Sequence, residues 1–455
     1  MTCQNYSIGL EKGASISSLG SRVSLLACEI DAYLDSKSFI KPTFEPDGGE
    51  VPEDTTYDAL RASLNDLAID LLCLVNGPKT SLRDFIFPHY DLAAMQVALD
   101  RGFFRHVPLP STPLHSGVRD EGTGREAASP NASVAQIAAK AGMDEARTGS
   151  ILRLLASRRI FQRVKNSEGG RKHDGEDKRF AHAAMSATLA RDADYHAMND
   201  MQLDDMFKAS GHLSSQISEF PHVSDSTHNA FHHQYGMTPY AHYELERDKG
   251  KRFGQSMSAW VKVNERGTEL RDGFPWASLR EGKVVDMGGG SGHISISLAR
   301  EFPDLRFVVQ DKSLVQLGRE QEDLAGRVSF QRHDFFELQP VHDASVFLLR
   351  QILHNYSDMD SIEIIRALVP ELEKSGPGTA VVINDIVLPD PGAVSMFEEH
   401  LLRQVDLCMM VSFGGKERSC LEWERLFHDA DPRFRLAHVK INPKGLGLVQ
   451  FHLMC

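Results

Sequence analysis

At 455 residues the chain exceeds what one hydrophobic core organises, so two or three domains are expected. Hydrophobic residues at 41% and charged residues at 25% are those of a soluble globular protein, and a formal net charge of −13 disfavours phosphate-backbone binding and anionic lipid surfaces. The six cysteines are scattered without CxxC or His/Cys spacing, which disfavours a zinc site or a disulfide framework and points to a reducing, cytosolic setting. The N-terminus lacks a basic leader followed by an apolar stretch, and no apolar run approaches membrane-spanning length.

In chain order, the spacing predicts an amphipathic helix over Val23–Leu34, then a loop or partly disordered linker through the Pro/Gly/acidic run KPTFEPDGGEVPEDTT. A helix follows from Tyr57 to Asn76, broken at Gly77-Pro78, and another covers Asp91–Arg101. Residues 109–131 read as a linker. Ser133 caps a short helix, Ala141-Gly142-Met143 turns, and Asp144 starts a second helix; Phe161 and Val164 open a strand that returns at Arg179 through a polar loop. This helix-turn-helix with a two-stranded wing admits a DNA-reading role through Arg153, Arg158, Arg159 and Lys165. The acidic whole favours a packing or dimerising module instead. Residues 195–270 read as mostly helical with interleaved aromatics and histidines. The adjacent histidines lack a third ligand for zinc.

From Lys283 short β-rich runs alternate with helices: KVVDM, His293–Phe302, RFVVQ, a helix near Leu314–Leu324, RVSF, SVFLL, Met359–Lys374, TAVVIND and Phe397–Met410. This implies a parallel sheet covered on both faces, finished by an antiparallel hairpin around Pro443–Gly447. Four regions result: 1–130 helical with linkers, 131–195 the winged-helix-like module, 196–275 a helical connector, and 276–455 a Rossmann-like α/β domain.

The run Val284-Val285-Asp286-Met287-Gly288-Gly289-Gly290-Ser291-Gly292 joins a strand to a helix. Its glycines let the backbone turn sharply and approach a ligand. A pyrophosphate fingerprint needs glycine where His293 stands, so the spacing argues against a dinucleotide. Asp311 ends the next strand, placed for ribose hydroxyls; Asp334 and Phe335 follow the third, offering a carboxylate and an aromatic face to an adenine. With Asp286, these suit a ligand that carries ammonium and hydroxyl groups but no phosphate.

Together with LLRQILHNYSD, VVINDIVLPD and GGKERS, these motifs resemble the plant-type and fungal O-methyltransferase family of secondary metabolism, from about Leu92 to the C-terminus. The resemblance implies a class I methyltransferase domain with a mostly parallel seven-stranded sheet, behind a helical, winged-helix dimerising region. It implies S-adenosylmethionine as cofactor, bound by Asp286, Gly288, Gly290, Gly292, Asp311, Asp334, Phe335 and Arg350. Arg350 stands where the family commonly has lysine. The family's general base falls on His354, with Asp385 and Glu417 as its flanking acids; Asp385 is a methylene shorter than the usual glutamate. Substrate contacts fall on Phe231, Tyr235, Met237, Met409, Met410 and Phe413, a wall suited to a flat aromatic or polyketide-like guest. The implied protein is a cytoplasmic homodimer acting on a small molecule, with no metal and no nucleic-acid or membrane partner. The alternative is the same fold put to pericyclic or dehydration chemistry.

Overall fold

The computed structural model describes residues 14–48, 50–110, 130–164, 179–264, 268–312, 322–324 and 326–454. The linker expected over 109–131, the wing loop with Lys165 and most of the helix expected near Leu314–Leu324 lie largely outside them. The described residues divide into two compact units: those up to 205 with 248–259, and 206–247 with those from 260 onward. Residues expected to form one connector, 196–275, are thus shared between the units.

In the first unit the N-terminal helix runs over Ile16–Lys37, longer at both ends than its apolar pattern: Ser15 and Ser18 cap its start reciprocally, and Ser38 ends it in the left-handed region. The following acidic segment is pinned rather than loose: Phe44 O accepts the Ala184 N–H at 3.0 Å, and Arg191 binds Asp47 at 2.6 Å. The next helix does break at Gly77 (φ 67°, ψ 171°), but Pro78 restarts it at once and it continues to Ile86. Further on, β1 (Asn131–Ser133), β2 (Phe161–Arg163) and β3 (Arg179–His182) form an antiparallel sheet in the order β1-β3-β2. Between β1 and β2 lie helices Val134–Ala141, capped reciprocally by Ser133 and Gln136, and Glu145–Ser157, capped by Asp144. Gly142 ends the first helix in the left-handed region, as the turn requires. Ile137, Leu152, Leu155, Phe104, Phe161 and Phe180 close the core there.

The second unit holds a seven-stranded sheet in the order β11-β12-β8-β7-β4-β5-β6. Its strands are β4 (Lys283–Met287), β5 (Arg306–Asp311), β6 (Val328–Arg332), β7 (Val346–Arg350), β8 (Ala380–Asn384), β11 (Phe434–Lys440) and β12 (Leu448–Leu453). β4 to β8 pair in parallel and β12 enters antiparallel to β8, the rest of the terminal hairpin occupying the edge. Val284, Val285, Phe347, Leu348, Val381 and Val382 are buried on both faces, the continuous apolar pattern of covered parallel strands. The strand order reverses beside β4, and ligands of open α/β sheets bind at the carboxyl ends near such a switch.

One pairing is absent from the sequence pattern. Two short strands, β9 (Val387–Leu388) and β10 (Arg418–Ser419), run parallel outside the main sheet, with Val387 opposite Arg418 and Leu388 opposite Ser419. Among the described residues no helix is long and apolar enough to cross a membrane, and no cluster of three His, Cys, Asp or Glu could hold a metal ion.

Candidate active site

The Gly-rich turn joins β4 to helix His293–Glu301, and its glycines do different work. A Cβ on Gly288 (φ +72°) would lie 2.5 Å from Ile352 Cδ1, and one on Gly292 (φ +73°) 2.7 Å from the Phe330 ring. Gly289 packs as tightly on the Asp286 carboxylate, at 2.6 Å. Gly290 (φ +54°) is open: a Cβ there would meet only Asp311 Oδ2, at 4.0 Å. The turn is thus closed below and leaves one backbone step bare beside a carboxylate, a cradle that fits the amino-acid and ribose parts of an adenosyl ligand.

Asp311 already accepts the Gly290 N–H at 3.2 Å, tying the end of β5 to this turn. Asp286 lies beneath, accepting Ser295 Oγ at 2.6 Å. Burial pushes its carboxyl up to about 6, against the Ser295 bond and the Arg350 charge. Asp286 therefore braces the turn from below. Asp334 is half-buried and paired with Lys312 at 2.6 Å, and Phe335 stands edge-on to Tyr356 at 5.7 Å between ring centres. Arg350 Nη1 donates to Gln351 Oε1 at 2.9 Å, at the carboxyl end of β7.

The next residue is a feature the sequence did not flag. Gln351 adopts φ +54°, a left-handed conformation costly for a residue with a Cβ, and its N–H donates to Asn384 O at 3.2 Å. This kink turns the chain into the single 3-10 turn Leu353–Asn355 and swings His354 over the end of β8.

His354 Nδ1 lies 2.8 Å from Glu417 Oε1, with the histidine side chain 8% exposed and the glutamate 0%. Asp385 takes a different place from the one expected. Its Oδ2 accepts the His354 backbone N–H at 3.3 Å, so it holds the turn and the local charge rather than the ring. Aspartate's shorter reach accounts for this. Asp385 Oδ1 and Glu417 Oε2 are buried without a hydrogen-bond partner. Burial raises both carboxyls, offset by His354. For the imidazole, burial works downward, but Glu417 and Asp385 outweigh it and raise its proton affinity to about 9.

The β9–β10 pairing brings these groups together, because it sets the segment after Asp385 beside the one after Glu417. The preceding turn allows no side chains. A Cβ on Gly415 would sit 2.1 Å from His354 O, and one on Gly414 2.2 Å from Asp225 O. Asp225 is itself part of a tight turn; despite partial burial, hydrogen bonds from Thr227 and His228 hold its carboxyl down at about 2. Ser224 Oγ donates to Gly414 O at 3.0 Å. These residues were not singled out from sequence; the Gly-Gly pair was the available signal.

The expected substrate wall is only partly assembled. Met409, Met410 and Phe413 lie half-buried on helix Met396–Phe413, with Phe413 5.5 Å from the Tyr240 ring. Tyr235 and Met237 are half-buried near the helix Ala230–Tyr235. Phe231 is fully buried, 4.6 Å from the Tyr235 ring and 5.5 Å from His242, so it packs the interior rather than presenting a face.

A model of the O-methyltransferase domain matches residues 219–432. The O-methyltransferase sol2 of Alternaria solani is 40% identical over 97% of this chain and 96% of its own length. The chlorophenol O-methyltransferase of Trichoderma longibrachiatum is 27% identical over 90% of this chain and 84% of its own. Among solved structures, OxaC in complex with S-adenosylhomocysteine and oxaline superposes with a TM-score of 0.69 at 19% identity, covering 96% of this chain and all of that one. LepI in complex with S-adenosylmethionine gives 0.68 at 20%, with the same coverage. These two likenesses concern the fold. With the bare glycine step, the strand-end carboxylates and near-full-length identity to a curated relative, the chain belongs to the S-adenosylmethionine-dependent O-methyltransferase family.

Proposed function

We propose that the protein methylates a hydroxyl of a small aromatic, polyketide-type metabolite, with His354 as general base. The observation that carries this is the buried His354 Nδ1–Glu417 Oε1 contact at 2.8 Å. With Nδ1 engaged, Nε2 is the nitrogen left to take a proton from an acceptor hydroxyl. A phenol, with pKa near ~10, needs such a base as its oxygen attacks. Bound S-adenosylmethionine supplies the electrophilic methyl group. Asp311, Gly290 and the Asp334–Phe335 end of β6 would hold its ribose and adenine, with Arg350 near its amino-acid end. Met409, Met410, Phe413, Tyr235 and Met237 would face the acceptor, and the buried surroundings of His354 would keep water from competing.

The relatives support this substrate class: one is described as a chlorophenol O-methyltransferase and another as belonging to a grayanic acid biosynthesis cluster. We read residues 131–195 as a winged-helix module used for packing, since Arg158 binds Asp91 and Arg159 covers the Phe44 ring. A cytoplasmic homodimer is the accompanying reading; for the dimer, the exposed Leu72 and Val75 before the Gly77 break and Leu82, Phe85 and Ile86 after it offer apolar surface that a second copy would cover.

The test is transfer of label from methyl-labelled S-adenosylmethionine to a panel of phenolic polyketides, beside His354→Ala. Transfer by the native protein, lost in the variant while S-adenosylhomocysteine affinity holds, is the expected result. An acceptor converted without label, and without S-adenosylhomocysteine formed, would replace this reading with pericyclic or dehydration chemistry; a solved protein of this fold is described as a pericyclic reaction enzyme.

A further inference from the structure

Arg418 follows Glu417 directly and is fully buried. As neighbours at the start of a short strand, the two side chains leave the backbone on opposite sides, Glu417 toward the imidazole and Arg418 beneath the loop that carries it. Its guanidinium uses its whole fork. Nη1 donates to Leu353 O at 2.8 Å, Nη2 to Tyr356 O at 3.0 Å and Ser361 Oγ at 3.2 Å, and Nε to Asp358 Oδ1 at 3.0 Å. Its flat face lies over Trp423, 5.2 Å from the ring centre. The two carbonyls bracket His354, and a single 3-10 turn has too few internal bonds to hold its own position.

The charges around the imidazole come from several elements. Asp385 stands at the end of β8, Glu417 and Lys416 on the Gly-Gly turn, Asp358 at the start of helix Asp358–Ser375, and Asp406 on helix Met396–Phe413, where it accepts the Glu417 N–H at 2.9 Å. Tyr240 reaches the turn through Asn355 at 3.5 Å. Lys416 is 34% exposed and pairs with Asp358 and Glu422, whereas Arg418 is a cation at 0% exposure. Two buried carboxylates beside one imidazole favour its protonated form, and the Arg418 charge works against them.

We propose that Arg418 is the positioning residue of His354: through the Leu353 and Tyr356 carbonyls it fixes where the imidazole stands, and its buried charge faces the imidazole against the two carboxylates. This rests on His354 being the base, and it adds a residue that never touches substrate. A lysine could keep the charge but not the four-way fork.

The experiment follows the titration of His354 by NMR in protein labelled with carbon-13 at the histidine Cε1, its signal assigned by its loss in His354→Ala. Folding is checked by S-adenosylhomocysteine affinity. In Arg418→Met the His354 midpoint should rise, because a nearby positive charge is gone. In Arg418→Lys the midpoint should stay near the native value while the signal moves or broadens, because the bracketing bonds are lost. An unmoved midpoint in folded Arg418→Met overturns the proposal. If that variant does not fold, Arg418→Lys decides: native midpoint and native signal position together overturn it. The titration does not depend on turnover. Failure of methyl transfer therefore leaves the Arg418 result standing, and an unmoved midpoint leaves the general-base reading standing.

Discussion

The two halves of the active site are built by opposite means. On the cofactor side, the Gly288–Gly292 turn works by the absence of side chains: backbone passes close to Ile352, Phe330 and Asp286, and one step is left bare. On the base side, His354, Asp385, Glu417 and Arg418 are crowded, buried and charged, each held by another. Away from Gly290 the first leaves no room for an added atom; the second depends on every buried partner it has. A turn is thus robust to charge and fragile to bulk, and a buried polar network the reverse.

The largest effect expected from breaking this contrast is on the base side. His354→Ala should lower label transfer on the order of 10²–10⁴-fold, with S-adenosylhomocysteine affinity within a few-fold of native. An equal loss of binding and transfer would show that the residue acts structurally.

Bulk should be resented wherever backbone packs close, on either side of the site. Gly415→Ala places a methyl 2.1 Å from a backbone oxygen, and Gly288→Ala one 2.5 Å from Ile352 Cδ1 at a positive φ. Both should destabilise by ~2 kcal/mol or more in denaturant titrations. Gly290→Ala has open space, so its melting temperature should drop far less, by an amount set by its φ of +54°, while cofactor affinity falls at least ten-fold. If Gly290→Ala bound S-adenosylhomocysteine as the native protein does, the cradle would lie elsewhere.

Charge sharpens the comparison from the other side. The folded-state affinity of His354 for its proton is raised to about 9 from an ordinary value of 6.5. Its contribution to stability is therefore complete below about pH 6.5 and is lost as pH rises toward about 9. Chemical denaturation of the ligand-free protein across that window should show the decline, and Glu417→Gln should flatten it. Because the base must be neutral, transfer should rise with pH, and Glu417→Gln should move that rise to lower pH while lowering its plateau. A native profile flat from pH 6.5 to 9 in stability would contradict the buried pair.

The smallest effect lies at the joint between the two halves. Gln351→Gly relieves a left-handed backbone at the loss of one bond from Arg350, and should change stability by no more than ~1 kcal/mol in either direction. A loss above 2 kcal/mol would mean that the Gln351 side chain does more than accept from Arg350.

The cofactor half could be read directly from residues because its elements are consecutive: KVVDM, the glycines and the following helix occupy one short stretch, and Asp311 and Asp334 end adjacent strands. The base half could be named only through its resemblance to a family, because nothing local in ILHNYSD or GGKERS specifies that they meet. What joins them is the β9–β10 pair, two residues long, below the length at which alternation is visible. Side-chain reach was equally hidden. Asp385 occupies the expected position in the chain yet bonds a backbone amide, and Phe231 shares a helix with Tyr235 yet faces the interior. The Gly77-Pro78 break was visible, but not the helix that resumes behind it.

The contact between His354 and Glu417 spans 63 positions of chain, and that between His354 and Asp385 spans 31. Closing loops of that size is slow compared with forming the local turn at Gly288–Gly292, since chain entropy is lost before the contact returns anything. During folding the Gly288–Gly292 turn itself should therefore order before the base does.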